Sequence, residues 1–240
     1  MKQSAILLTS ISIAFFAVLL FLPETAYAAP GGLIKEAAKT TWGKVIFALT
    51  LLFFLPLIVV YSMKRALWLR RTRRALERLE TVDPRYDSLR LKEAVTQVFH
   101  WVYSAWDQKK MTLAANYVTP WYMENQQLLL DKWQRDGVEN IFSDVRLKEI
   151  RPLYVCRDKE NSGRDRIVFE IDAELRDYLV EKATGNVVQG DKTLGELCSV
   201  WHFAWQEDRW VLTMIEEAGT ALGYLKKHDT IMFSPAELNP

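Results

Sequence analysis

The sequence predicts an α+β fold in which amino-terminal helices pack on a curved antiparallel sheet, with a transmembrane helix ahead of them. Three observations carry this prediction. Residues 45–63 form an apolar run without a single charge. Residues 89–137 then place apolar side chains at helical spacing. From residue 144 onward the repeat shifts to two, that of a strand with one buried face. Helices first and strands afterwards is the order of an α+β domain rather than of alternating α/β units.

The nineteen residues of the run, VIFALTLLFFLPLIVVYSM, give roughly 28 Å of helix at about 1.5 Å each, close to the roughly 30 Å hydrocarbon thickness of a bilayer. Trp42 and Tyr61 stand near its ends, where amphipathic rings favour the headgroup region. Pro56 would kink a soluble helix but is tolerated in a span. The competing reading, a buried helix of a soluble core, does not account for the basic collar that follows. Lys64, Arg65, Arg70, Arg71, Arg73 and Arg74 are expected at the membrane surface, against anionic lipid headgroups.

The first residues look like a targeting segment. Met1-Lys2 is a short basic start, residues 5–22 are apolar, and Ala26-Tyr27-Ala28 offers a small-residue cleavage site. Residues 1–28 are therefore read as a signal peptide, with an uncleaved first span as the alternative. Both give the same topology. Residues 29–44 form a short outside segment, too poor in apolar surface to fold alone. The collar then lies on the cytoplasmic side by the positive-inside rule. The expected location is the cell (inner) membrane, single-pass after signal cleavage, with the carboxy-terminal domain cytoplasmic.

Charge is distributed unevenly. Residues 64–90, a juxtamembrane neck and hinge to residue 87, hold nine Lys/Arg against four Asp/Glu; residues 91–240 hold eighteen against twenty-four. An acidic domain behind a basic neck argues against nucleic acid as a partner. Cys156 and Cys198 lack the spacing of a zinc or redox motif and are expected in the reduced core.

Along the domain, residues 88–240, Thr81-Val82-Asp83-Pro84 should end the membrane helix. Ser88 is the expected N-cap of a helix over 89–110, whose buried face carries Leu91, Val95, Val98, Phe99, Val102 and Trp106. A second helix should run from Thr119-Pro120 to Gly137, burying Met123, Leu128 to Leu130 and Trp133. Residues 144–157 read as a strand, and 166–180 as another with Ile167, Phe169, Ile171, Ala173 and Leu175 on one face. Turns are expected at 184–186 and 189–191, and a hairpin joins 194–206 to 209–217 through Glu207-Asp208. A short helix is expected at 219–227. About 150 residues suffice for one core.

Two stretches carry a family resemblance: Ser104-Ala105-Trp106-Asp107 followed by Tyr117-Val118-Thr119-Pro120, and the run from Val200 to Glu216 with its alternating aromatics. Over residues 88–217 the chain resembles the Tim44-like domain family, named for the mitochondrial inner-membrane subunit that tethers the import motor, with bacterial membrane-anchored members. The resemblance implies a nuclear-transport-factor-like, cystatin-like cone with an apolar cavity between helices and sheet. It also implies a non-enzymatic scaffold that holds a protein partner at the membrane, linked to protein transport or membrane-protein assembly, with lipid or another apolar ligand in the cavity as the alternative. The chaperone-binding region of the mitochondrial tether has no counterpart in the residues before this domain, so motor tethering does not carry over.

The catalytic signals are weak, and the chain is not expected to be an enzyme. His100 and Asp107 lie two helical turns apart, about 10 Å, and His202 alternates with Trp201 and Phe203. Glu170, Asp172 and Glu174 read as a solvated sheet face, and Glu216-Glu217 as surface. Within the broader fold, Asp107 and Tyr117 are the residues to suspect. No phosphate loop, nucleophile elbow or zinc-ligand pair occurs, so no metal or cofactor is expected. The aromatic residues Trp101, Trp106, Tyr117, Trp121, Phe169, Trp201, Phe203 and Trp210 are the candidate lining of an apolar pocket, with plain core packing as the alternative.

Overall fold

The computed structural model describes residues 40–158, 164–227 and 229–231; the signal-like segment and most of the outside segment lie beyond them. Helix α1, Thr41–Glu80, carries the apolar run, and Pro56 sits inside it. Its apolar part is exposed along its length and long enough to cross a bilayer. The chain divides into two units, Met1–Ser62 and Met63–Pro240, and the second holds the α+β domain.

In that domain α1 ends at Glu80, a 3-10 turn follows at Pro84–Tyr86, and α2 spans Ser88–Asp107. Asp87, not Ser88, caps α2: its carboxylate accepts from the Arg90 backbone N–H, and its negative charge suits the positive end of the helix dipole. Helix α3, Pro120–Arg135, starts as expected, with the Thr119 hydroxyl accepting from Tyr122 N–H at 3.4 Å. Gly137 then takes φ +71, a left-handed conformation, and turns the chain straight into β1, Val138–Arg157, which is longer than the period-two pattern showed.

Strands β2 (Arg166–Glu181), β3 (Val187–Gln206) and β4 (Arg209–Glu217) complete an antiparallel meander with β1. A two-residue strand β5, Thr230–Ile231, pairs parallel with β1, giving the order β4-β3-β2-β1-β5. The short helix α4 spans Ala221–Lys226. The expected hairpin at Glu207-Asp208 forms, both residues at positive φ. The expected turn at 189–191 does not: Gly190, φ +81, lies inside β3, where a Cβ would stand 2.5 Å from the Asp177 carbonyl oxygen. Glycine here lets β3 approach β2 closely where it pairs with Tyr178, between two register irregularities, rather than reversing the chain.

The two faces of the sheet are filled differently. Helices α2 and α3 cover one with the main core: Phe99 packs on Trp201 at 5.7 Å and on Tyr103 at 4.6 Å, over Ile167, Phe169, Ile171 and Phe203. Five of the six predicted α2 face residues are fully buried, Trp106 being half-buried. On α3 the buried side is Tyr122 and Leu130, while Leu128 is 62% exposed. The opposite face carries a smaller cluster, Leu153, Val168 and Val200, covered by Ala221 and Leu225 of α4 and by Trp68 and Leu69. The last turns of α1 are thus built into the domain, with Leu76 and Leu79 in the main core. An α+β fold with helices on an antiparallel sheet is what the structure shows.

Candidate binding site

Where α2 and α3 splay from the sheet they leave a cavity of about 230 Å³. Tyr103 and Trp106 of α2, Gln126, Leu129, Leu130 and Trp133 of α3, and Asn140, Phe142, Asp177, Leu197, Ser199, Trp201 and Ile215 of the sheet line it. Its walls are aromatic: Trp106 stacks on Phe142 at 5.8 Å, and Tyr103 meets both edge-on. Such offset and edge-to-face pairs hold rings in place beyond what area burial alone does. The polar groups gather at one side. Ser199 Oγ accepts from the Trp201 indole N–H at 2.9 Å. Asn140 is 6% exposed, and its Oδ1 accepts no hydrogen bond among the described residues. Asp177 stands at the rim, its carboxyl raised by partial burial and opposed by a hydrogen bond with Asn140.

Two of the eight predicted pocket residues, Trp106 and Trp201, line this cavity. Phe203 is plain core, and Phe169 is core that also borders a groove beside α1. Tyr117 and Trp210 line a separate groove of about 380 Å³ with Arg85 and Trp205. Trp101 stacks on Tyr117 at 5.3 Å but is 39% exposed, and Trp121 is 63% exposed. The residues missed on the sheet, Asn140 and Phe142, sit in the first part of β1, where no alternation marks a strand. Trp133 and Leu130 were visible as the apolar side of α3. Asp107 is exposed at the end of α2 and lines neither cavity, while Tyr117 accepts a hydrogen bond from Gln97 at 3.1 Å. No cluster of metal-ligating side chains occurs among the described residues.

The acidic row on β2 is not a solvated face. Glu170 is 3% exposed and receives Arg151 Nε at 2.7 Å and the Arg65 guanidinium. Arg151 also binds Asp172 and Glu149. Burial works against the Arg151 charge, but its bonds to Glu170 and Asp172 prevail and hold it protonated. A buried carboxylate needs such partners, because taking it from water unpaired costs several kcal/mol. Cys198, half-buried beside this network, has its thiol pushed up to about 12 by burial first and by Asp172 and Glu170 next. It is an inert thiol, as is expected of a reduced cysteine on a strand.

The basic collar divides accordingly. Arg65 is committed to Glu170; Arg71 donates to Asp229 at 3.3 Å and to the carbonyl oxygens of Leu225 and Lys227. Neither is a free headgroup ligand, because α1 turns them onto the sheet and α4. Among the described residues Lys64, Arg70, Arg73 and Arg74 form no ion pair with the domain. A second charged knot ties the α1–α2 turn to the sheet: Asp83 binds Arg85 Nε at 2.9 Å, Arg85 reaches Asp165 at 3.2 Å, and Arg157 lies 3.6 Å from Asp83. Burial raises Asp83, but the bonds from Arg85 outweigh it and hold the carboxyl below its usual range.

Comparison with known proteins agrees with this architecture. A family model described as "Tim44-like domain" matches residues 72–217. No curated protein matches the chain. Among solved structures, the intermembrane space region of the chloroplast protein ARC6 is similar at a TM-score of 0.39 and 10% identity, covering 55% of this chain and 98% of that one. A de novo designed β-sheet protein is similar at a TM-score of 0.29 and 12% identity, covering 52% and 85%. At these scores neither overlay carries a functional argument. The family match starts inside α1, at Thr72, whose hydroxyl is fully buried and donates to the Leu153 carbonyl oxygen at 3.2 Å. With the match covering well over half the sequence, the chain belongs to the Tim44-like family.

Proposed function

We propose that this protein is a membrane-anchored, non-enzymatic tether whose Tim44-like domain holds a protein partner at the cytoplasmic face of an inner membrane. The observation that carries the reading is the composition of α1. One helix supplies the exposed apolar run, with Leu52 at 72% and Ile58 at 59% exposure, and the buried Leu76 and Leu79 of the domain core. Side chains so exposed and so apolar match a lipid environment. The four collar cations that form no ion pair among the described residues add attraction to anionic headgroups, about 1 kcal/mol each near the surface. On this reading residues 45–63 are the span and residues 1–28 the signal that directs it. The test is crosslinking of the full-length chain in membranes, against a Leu52→Lys, Ile58→Lys variant. Loss of both membrane association and the crosslinked partner is the expected result; a partner retained by the soluble variant would sink the proposal.

The apolar cavity favours a second reading, that the domain takes a lipid or other apolar ligand. Native mass spectrometry of the full chain tests it: a stoichiometric acyl ligand, lost on Trp201→Asp, would support it.

A further inference from the structure

Five rings and one charge line the cavity under α2 and α3. The rings belong to Tyr103, Trp106, Trp133, Phe142 and Trp201; the charge is Asp177, and among the described residues no Lys, Arg or His joins it. The sheet turns Asp177 toward the rings. Phe142 of β1 stands directly opposite Asp177 of β2 in the register, and directly opposed residues project from the same face. Two residues before Asp177 on its own strand, Leu175 lies in the main core, and side chains alternate with a period of two. The field of the carboxylate reaches the wall: the Tyr103 phenol is pushed up by burial first and by Asp177 next.

No cation answers this carboxylate. Asp177 forms no ion pair among the described residues, and its cross-strand neighbour on β3, Asp191, is also acidic. The basic residues beside it in the chain or the sheet are engaged elsewhere. Arg176 binds Asp144 at 2.9 Å, and Lys192 lies over the Tyr178 ring at 5.8 Å. Lys109 donates to the Asn140 carbonyl oxygen and stands 3.9 Å from Glu139. Residues 91–240 as a whole hold twenty-four Asp/Glu against eighteen Lys/Arg, a balance that draws cations.

We infer that the cavity is a binding site for a small quaternary ammonium compound, its cation set among the aromatic walls and balanced by Asp177. Rings attract a cation through their quadrupole, and aromatic surroundings are the recurrent means of holding a fully alkylated ammonium. The volume, about 230 Å³, falls below the roughly 300 Å³ at which pockets begin to hold drug-sized ligands, so the compound is small. Full alkylation follows from the shortage of acceptors. A primary ammonium brings three N–H donors and a guanidinium five. Ser199 Oγ already accepts the Trp201 indole N–H, and Asn140 is bonded to Asp177. Donors left unpaired there would weaken binding; a quaternary ammonium has none. No basic residue lines the cavity to receive a phosphate beside the cation. A free compound of the choline type therefore fits better than a choline lipid headgroup.

This site stands apart from the tethering of a partner, and failure of either leaves the other in place. The test uses the full chain, labelled with fluorotryptophan, in phosphatidylglycerol nanodiscs free of choline lipid. The fluorine resonance of Trp133, assigned with Trp133→Phe, reports on the cavity. Choline should shift it saturably and bind about tenfold more tightly than dimethylbutanol, its neutral isostere with carbon in place of nitrogen. Asp177→Asn should cut that preference to about threefold or less, and Asp177→Glu should keep it, with the tryptophan resonances outside the cavity unchanged in both. Dimethylbutanol binding as tightly as choline would reduce the cavity to an apolar site and overturn the assignment. So would a preference for choline that Asp177→Asn leaves intact, or no saturable shift up to about 10 mM. Glycerophosphocholine binding as tightly as choline would assign the cavity to a lipid headgroup and overturn it equally.

Discussion

The two faces of the sheet solve the same burial problem with opposite chemistry. Under α2 and α3 the contact is mainly aromatic and aliphatic, centred on Phe99, Trp201 and Phe203. On the other face an apolar patch of Leu153, Val168 and Val200 adjoins an ionic network in which the buried Glu170 is held by the half-buried Arg151 and Arg65, with Asp172 on Arg151. The first face depends on area removed from water and tolerates changes of pH and salt. The second depends on every charge keeping its partner, since a lone buried charge costs more than the pair contributes. The covering elements explain the contrast. A broad amphipathic helix covers the first face, whereas the end of the arginine-rich α1 and the six-residue α4 cover the second.

The largest expected effect breaks the apolar face. Trp201→Ala removes a residue 1% exposed at the centre of the core and should destabilise the domain by about 3–5 kcal/mol. Chemical denaturation of the full chain in detergent measures it, and a change under about 1 kcal/mol would refute the core assignment. Next comes the ionic face. Arg151→Ala leaves Glu170 with Arg65 alone and Asp172 without this cation, and should cost about 2 kcal/mol. Replacing Glu170 by Leu in the same chain should recover part of that loss; recovery of none would mean the network is not coupled.

A smaller effect concerns the cap. Asp87→Ala should cost about 1 kcal/mol by freeing the Arg90 N–H, whereas Ser88→Ala should fall within about 0.5 kcal/mol. The reverse order would restore Ser88 as the cap. The smallest effect is a pH dependence of the second face. Burial holds His202 below its ordinary range, against the opposing Glu216 bond at 2.9 Å, and Tyr224 packs on its ring. The unfolded chain therefore takes up a proton on His202 before the folded chain does, so this contribution is present above about pH 6.5 and shrinks as pH falls below it. His202→Gln should flatten the stability profile between about pH 6.5 and 5. An unchanged slope would show that His202 is not the group responsible.

Sequence periodicity made the apolar face legible because both of its determinants are local. The α2 stripe from Leu91 to Val102 and the alternation from Ile167 to Leu175 need no knowledge of a partner. The same alternation misplaced Glu170: a carboxylate on the far side of a half-buried strand reads as solvated unless something covers it. What covers it are Arg65, 105 residues earlier in the chain, and Arg151 on the neighbouring strand. The pocket was legible only in its chemistry. Six of the eight candidate aromatics lie elsewhere, because composition tells which rings are large and not which of them a bulged sheet and two splayed helices leave at the gap.

By itself the sequence determined the apolar run at 45–63, the order of helices before strands, the helix start at Thr119-Pro120 and the Glu207-Asp208 hairpin. Each follows from spacing or from the preferences of a few adjacent residues. Tertiary structure alone decided that the end of α1 belongs to the domain, that two of the collar arginines serve carboxylates inside it, and that β3 outruns β4. These depend on pairings between segments far apart in the chain, where the energy resides in the match of surfaces and charges rather than in any one segment.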